Sequence, residues 1–256
     1  MLIILALCSQ FMLADSLYAR GYYEEARIEY SRVFYSYPQL RENIEARMRY
    51  AISLLKKNQG SGITEIMKLV NEFPELPDGI RREIAEQYID AGIYYLAIDI
   101  LRDTGEKDLL GMAYLLDGQY ARARAIFHEE GNAEIVALID DYLQNPEKSE
   151  KTAVLLSVFL PGAGEAYAGN PFQGFRDFLM NLGSGYLLYN ALRQQKYVDA
   201  TLVFVFLLNR FYLGSIYNAQ KSVIEHNKKR RREWLDAIQQ THYQTSPAKR
   251  SEKSVH

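Results

Sequence analysis

The chain has 256 residues, with 48% hydrophobic residues and a single cysteine, enough for one or two domains with a buried core. One cysteine excludes an internal disulfide and a multi-cysteine metal site. Charge is divided: residues 1–150 carry 16 Lys/Arg against 25 Asp/Glu (net −9), and residues 151–256 carry 14 against 7 (net +7), so the first half reads as an ordinary soluble surface and the second points to anionic lipid headgroups ahead of nucleic acid.

The opening MLIILALCSQFMLA is an apolar run that ends on a small residue. It looks like a secretory signal over residues 1–14, with cleavage after Ala14. No Lys or Arg precedes the run, Met12 is large for its place before the bond, and Leu7 is large for a lipobox at Cys8. The alternative is a first buried helix over residues 5–19.

A repeated spacing follows. Residues 15–38 place Leu17, Gly21, Tyr23, Ala26, Tyr30 and Pro38. Residues 83–101 place Ile84-Ala85, Tyr88, Gly92, Tyr94, Ala97 and Leu101, and residues 109–127 place Leu110-Gly111, Tyr114, Gly118, Tyr120, Ala123 and Phe127. A poorer unit lies between, Ala46–Leu55 and ITEIMKLVNEFP, with a polar break expected at KKNQGSG. Each unit predicts two antiparallel helices: glycine permits the tight exit from the first, a small residue admits the second, and an aromatic fills the gap one turn on. One pair cannot bury its own faces, so the pairs stack. The spacing resembles the tetratricopeptide repeat (TPR), although the unit from Gly92 to Gly118 is short for it. AEIVALIDDYL, residues 133–143, reads as a capping helix, and the repeat domain spans residues 15–146. The resemblance implies a concave groove that binds a protein segment. By position its lining residues are Arg82, Glu86 and Asp90 in one unit and Asp108, Met112 and Leu115 in the next. A plain solvated helix face is the alternative.

After the polar linker NPEKSEK, residues 145–151, the composition turns apolar over residues 152–225. A bilayer span needs about 20 mostly apolar residues. Residues 172–192 and 198–219 are long enough, whereas residues 152–160 are cut short by Pro161. The PGAG stretch therefore reads as a short segment at the bilayer edge, covered by the two longer helices. Gly162, Gly164 and Gly169 are expected to permit close helix approach, and Tyr167 to sit near the headgroups. LPGAGEAYAG followed by FQGFRDFLMN resembles a family of small bacterial membrane-associated domains marked by Pro-Gly-x-Gly-x-x-Tyr-x-Gly before a helical hairpin. In related envelope proteins such a domain follows a signal peptide and TPR units. Glu165 departs from that pattern, standing where an amide or neutral residue is expected. The fold class expected is all-α: a TPR-like solenoid followed by a hydrophobic helical hairpin.

Residues 198–217 hold 11 Leu, Ile, Val or Phe, worth roughly −5 kcal/mol for insertion, which Arg210, Asp199 and Asn209 nearly cancel. The helix thus needs a partner. A hairpin closing through RQQK at 193–196 puts Asp177 opposite Arg210, and a buried Asp177–Arg210 pair is expected. Gly185 and Gly214 extend it into stripes suited to close packing. A proton or ion path is the functional alternative, and a fully soluble apolar core over 152–219 the structural one.

NKKRRREW, residues 227–234, opens a basic, partly disordered tail over 226–256. It reads as a juxtamembrane stretch on anionic lipid, with Trp234 as an interfacial anchor, rather than as a nucleic-acid site. A cleaved signal with two crossings leaves this basic stretch outside the cytoplasm, against the positive-inside tendency. Three crossings, no signal with two crossings, or a basic end lying on an anionic leaflet would each resolve the conflict, and the first apolar run is short for a third crossing. The expected location is the bacterial envelope with periplasmic repeats. His128, His226, His242 and His256 have no partners at metal-ligand spacing, and no phosphate loop or nucleophile elbow occurs. No enzyme, cofactor, metal or small-molecule substrate is expected. The partners expected are another envelope protein and membrane lipid. Two functions remain: a membrane-docked scaffold, and an oligomeric hairpin assembly for transport or sensing.

Overall fold

A computed structural model describes residues 9–245 of the chain. Residues 1–8 of the expected signal, with Cys8, and the last eleven residues, with His256, lie outside that range. Every regular element among the described residues is helical. The chain divides into two compact units, residues 1–136 and 137–256. The division falls inside a helix rather than in the polar linker at 145–151.

The first unit contains α1 (Met12–Ala19), α2 (Tyr23–Ser36), α3 (Ile44–Lys57), α4 (Gln59–Glu72), α5 (Asp78–Asp90), α6 (Tyr94–Leu101), α7 (Lys107–Leu116) and α8 (Tyr120–Glu129). They pack as successive hairpins α1–α2, α3–α4, α5–α6 and α7–α8, and the first helix of each pair touches the next first helix, α1 to α3 to α5 to α7. This serial stacking resembles a solenoid. The glycines at the matching positions explain the hairpins. Gly21, Gly92 and Gly118 all have φ between 74° and 81°. In each turn the following amide reaches back five residues, Tyr22 to Leu17, Ile93 to Tyr88 and Gln119 to Tyr114, at 2.8–2.9 Å. That bond satisfies a carbonyl the helix end would otherwise leave open, and it needs a left-handed residue that glycine supplies without steric cost.

The repeated small and aromatic positions form the core. Ala26, Ala97 and Ala123 are fully buried, as are Tyr30, Leu101 and Phe127 one turn on. Phe11 and Ala14 join this core: Phe11 packs on Tyr30 and Phe34 with ring centroids 6.0 and 5.7 Å apart. Residues 11–14 therefore behave as the start of the first hairpin, and cleavage after Ala14 would remove two of its core side chains. The break expected at KKNQGSG is a single residue, Asn58, between α3 and α4. Asn58 caps α4 by accepting from the Ser61 amide at 3.1 Å, and Gly62 sits so close to the Leu55 backbone that a Cβ there would collide with it.

In the second unit, α9 (Ala133–Gln144) crosses the division, and α10 (Glu150–Phe159), α11 (Ala163–Ala168) and α12 (Pro171–Arg193) follow. A last continuous helical stretch comprises α13 (Tyr197–Val203), a π-helical segment Phe204–Leu208, and α14 (Asn209–Thr245). Helices α10, α11 and α12 all pack on α14. The rest of the expected tail lies outside the described residues, and residues 226–245 are helical. Ala219, Val223, Trp234 and Ile238 explain why, since they lie on one buried stripe of α14. Trp234 is no interfacial anchor. Its ring stacks on Tyr142 at 4.1 Å and its Nε1–H donates to the Leu138 carbonyl at 2.8 Å.

Candidate functional site

The glycine-rich stretch builds the centre of the second unit. Leu160 is extended ahead of Pro161 and ends α10, as expected before a proline. Gly162 then takes φ 93° and meets Gly174 of α12 backbone to backbone, each lying where a Cβ on the other would clash with its carbonyl oxygen. Gly164 is wedged against the Ala153 carbonyl, the Ala219 methyl and the Ser157 hydroxyl. These two glycines do permit close approach, as the sequence suggested. Gly169 has a different role: at φ 101° it turns the chain out of α11, with the Asn170 amide bonded to the Glu165 carbonyl at 2.8 Å. Tyr167 is tied to the linker. Its hydroxyl accepts from the Ser149 amide at 3.2 Å, and its carbonyl accepts from Lys148 Nζ at 2.9 Å.

Polar groups lie inside this unit. Glu165 is 0% exposed. Ser157 Oγ donates to its Oε2 at 3.2 Å and Ser215 Oγ to its Oε1 at 3.4 Å. Those two hydroxyls also accept the Gly164 and Gly162 amides at 3.1 and 2.9 Å. Burial pushes the Glu165 carboxyl above the usual carboxylate range, and Asp177 beside it adds to the rise.

The Asp177–Arg210 pair is not formed. Asp177 Oδ1 accepts from Arg176 Nε and Nη2 at 3.0 and 2.9 Å, and its Oδ2 accepts from Asn218 Nδ2 at 3.0 Å. Helix register explains the difference: the Asp177–Asn218 and Asn181–Phe211 bonds set Asp177 one to two turns beyond Arg210. Arg210 is exposed, and it lines a hollow of about 430 Å³ that Asp177 also lines. Gly185 and Gly214 have open space where a Cβ would stand, so they are not the sites of close packing.

The outward face is the reverse of a soluble helix pair. On α12 the buried positions are Gly174, Asp177, Asn181, Ser184 and Ala191. Leu179, Met180, Leu182, Tyr186, Leu187 and Leu192 of the same helix are exposed. Phe159 and Phe172 are each 85% exposed, Val198 74% and Phe206 64%. By length and composition, one helical stretch, Tyr197–Gln244, suffices to cross a membrane, and its apolar window is only 11% buried. Although α12 has 23 residues, it does not reach that apolarity, because its inner face is filled by Gly, Ser, Asn and Asp.

In the first unit the six groove positions separate. Arg82 and Asp90 are exposed and Glu86 and Asp108 half-buried. Arg82 bridges Glu86 and Glu106 at 3.0 Å each, and Asp90 pairs with Lys56 at 3.5 Å. Met112 and Leu115 are buried in the core. At 8% and 0% exposure they offer little surface to a partner. No family model, curated protein or solved structure matches this chain.

Proposed function

We propose that this chain is a non-enzymatic, membrane-docked scaffold of the bacterial envelope. In this reading the hairpin unit sits in the bilayer and repeats of the TPR type offer a surface to a protein partner. One observation carries it. Helix α12 buries Asp177, Asn181 and Ser184 and turns most of its Leu, Phe and Tyr side chains outward, the arrangement lipid favours and water penalises, and the charged side chains exposed along the two apolar stretches are confined to Arg176, Asp199 and Arg210. Residues 172–192 and 198–219 are read as the two crossings. The polar face of α12 is then covered by α14 rather than exposed to hydrocarbon, which lowers its insertion cost. Burial of Phe11 and Ala14 in the first core supports an uncleaved start. With two crossings, residues before 172 and after 219 then share one side, and Lys228–Arg232 make the cytoplasmic side the consistent one. This reading differs from the expectation of periplasmic repeats, and an export-only reporter at Ser149 decides between the two. In the repeat unit, the exposed Arg82 and Asp90 are the groove positions left for partner contact.

The test is partition of the full chain. Membranes from expressing cells are washed with alkaline carbonate, and the pellet is extracted with mild detergent. Retention through the wash and release only by detergent are expected. Recovery of the intact chain as a monomer in detergent-free buffer would overturn the proposal. An export-only reporter inserted at Ser149 reads the side, and activity there would return the repeats to the periplasm.

A further inference from the structure

The hollow beside Asp177 contains groups that anchoring alone leaves without a role. Arg176, Asp177, Asn181 and Arg210 line it, with Met180 and Phe211 as apolar walls. Arg176 commits Nε and Nη2 to Asp177, which leaves its other terminal nitrogen. Arg210 has no ion-pair partner among the described residues. Asn181 is 8% exposed. Its Nδ2 donates to the Asp177 and Phe211 carbonyls at 2.8 and 3.3 Å, which fixes the amide's orientation, and its buried Oδ1 finds no donor. An acceptor left open at that depth is unfavourable unless something brings it a proton.

Charge and shape narrow what that is. Two guanidinium groups and one carboxylate leave the hollow with one net positive charge. A phosphodiester carries a single negative charge, whereas a phosphomonoester carries close to two near neutral pH. Arginine is the side chain whose planar fork suits phosphate oxygens. Met180 and Phe211 supply the apolar walls of the hollow itself. Arg210 lies 14 residues past Lys196 at the hairpin turn, about 21 Å along the helix at 1.5 Å per residue. In a hydrocarbon layer of about 30 Å, that puts its guanidinium within reach of the far headgroups.

We infer that this hollow binds one phospholipid headgroup, with its phosphodiester on Arg210 and Arg176 and its amine or hydroxyl turned toward Asn181 and Asp177. The inference rests on the membrane reading. It also selects among lipids: ethanolamine and glycerol headgroups bring a proton to Asn181 Oδ1, and a choline headgroup has none to bring.

The experiment uses the full chain in mild detergent. Retained lipid is counted by native mass spectrometry after titration with phosphatidylglycerol, phosphatidylethanolamine or phosphatidylcholine of matched acyl chains. In parallel arms, inorganic phosphate and glycerol 3-phosphate are added as competitors. One retained phosphatidylglycerol or phosphatidylethanolamine is expected, held at least tenfold more tightly than phosphatidylcholine and not displaced by either soluble phosphate. Arg210→Gln should weaken retention about tenfold, Arg210→Lys less, and Asn181→Leu should abolish the preference over choline. Carbonate-resistant partition and unfolding midpoint serve as controls that each variant is folded and inserted. Equal retention by wild type and Arg210→Gln, with both still inserted, would overturn the inference and leave the membrane reading standing. No preference among headgroups, or displacement by glycerol 3-phosphate, would overturn it as well. A wild-type chain that does not partition would overturn both.

Discussion

Gly162 and Gly174 lie backbone against backbone, each occupying the space that a Cβ on the other would need. Gly162 also has φ 93°, a conformation costly for any side chain. The contact holds α12 against the turn that precedes α11, and with it the polar interior of the second unit. Gly162→Ala and Gly174→Ala should each destabilise the unit, by about 2–4 kcal/mol from overpacking and, at Gly162, backbone strain. Gly183, which has open space around it, is the control: Gly183→Ala should be neutral or stabilising by up to about 1 kcal/mol. Denaturant unfolding in detergent separates the two outcomes, and equal effects at Gly174 and Gly183 would remove the close contact from the account.

Glu165 predicts a pH dependence. It belongs to the short α11, outside the two segments read as crossings. Its carboxyl is raised above the ordinary value of 4.5, chiefly by burial. The folded unit therefore keeps a proton that the unfolded chain releases. That contribution is complete below the ordinary value and is lost as pH rises through the raised one. The unfolding midpoint should fall with rising pH over that window, and Glu165→Gln should flatten the slope and raise the midpoint near neutrality. An unchanged slope in Glu165→Gln would assign the dependence to another group.

Gln195 turns the hairpin between α12 and α13 at φ 57°, the one described non-glycine residue with positive φ. Its turn uses the same bond as the glycine turns, from the Lys196 amide to the Ala191 carbonyl at 3.0 Å. Glycine there removes the Cβ penalty, so Gln195→Gly should stabilise by about 0.5–1 kcal/mol. A lower midpoint for this variant would mean that the Gln195 side chain contributes more than its backbone strain costs.

Phe11 separates the two readings of the start of the chain. If it belongs to the first core, Phe11→Ala should cost about 3–5 kcal/mol. If it belongs to a removed signal, the mature chain begins at Asp15 and the substitution leaves its stability unchanged. N-terminal sequencing alongside thermal unfolding reads both directly.

Most of the local structure was legible beforehand. The glycine, small and aromatic positions of the first unit mark hairpins because each has a local steric reason: a left-handed turn, a close helix approach, a filled gap. The linker's register was not legible. Asn227 grips the Lys148 backbone, accepting from its amide at 3.1 Å and donating to its carbonyl at 2.9 Å. No spacing rule links residues 79 positions apart. The groove was only half legible, because helical periodicity places Met112 and Leu115 on a face without saying what covers it. The Asp177–Arg210 pairing failed for a similar reason. Counting from the turn assumes ideal register, whereas the hydrogen bonds of Asn181 and Asn218 set it otherwise.

Periodicity, glycine placement and the apolar runs, taken by themselves, determined helix pairs in the first half and a hydrophobic helical unit in the second. Those signals are short-range, and backbone sterics and side-chain spacing carry them within a single turn or hairpin. Only the tertiary structure decided that α12 is polar within and largely apolar without, and that Glu165 is enclosed by two serines and an aspartate. Burial is a property of what packs around a residue, and the packing partners come from segments distant along the chain.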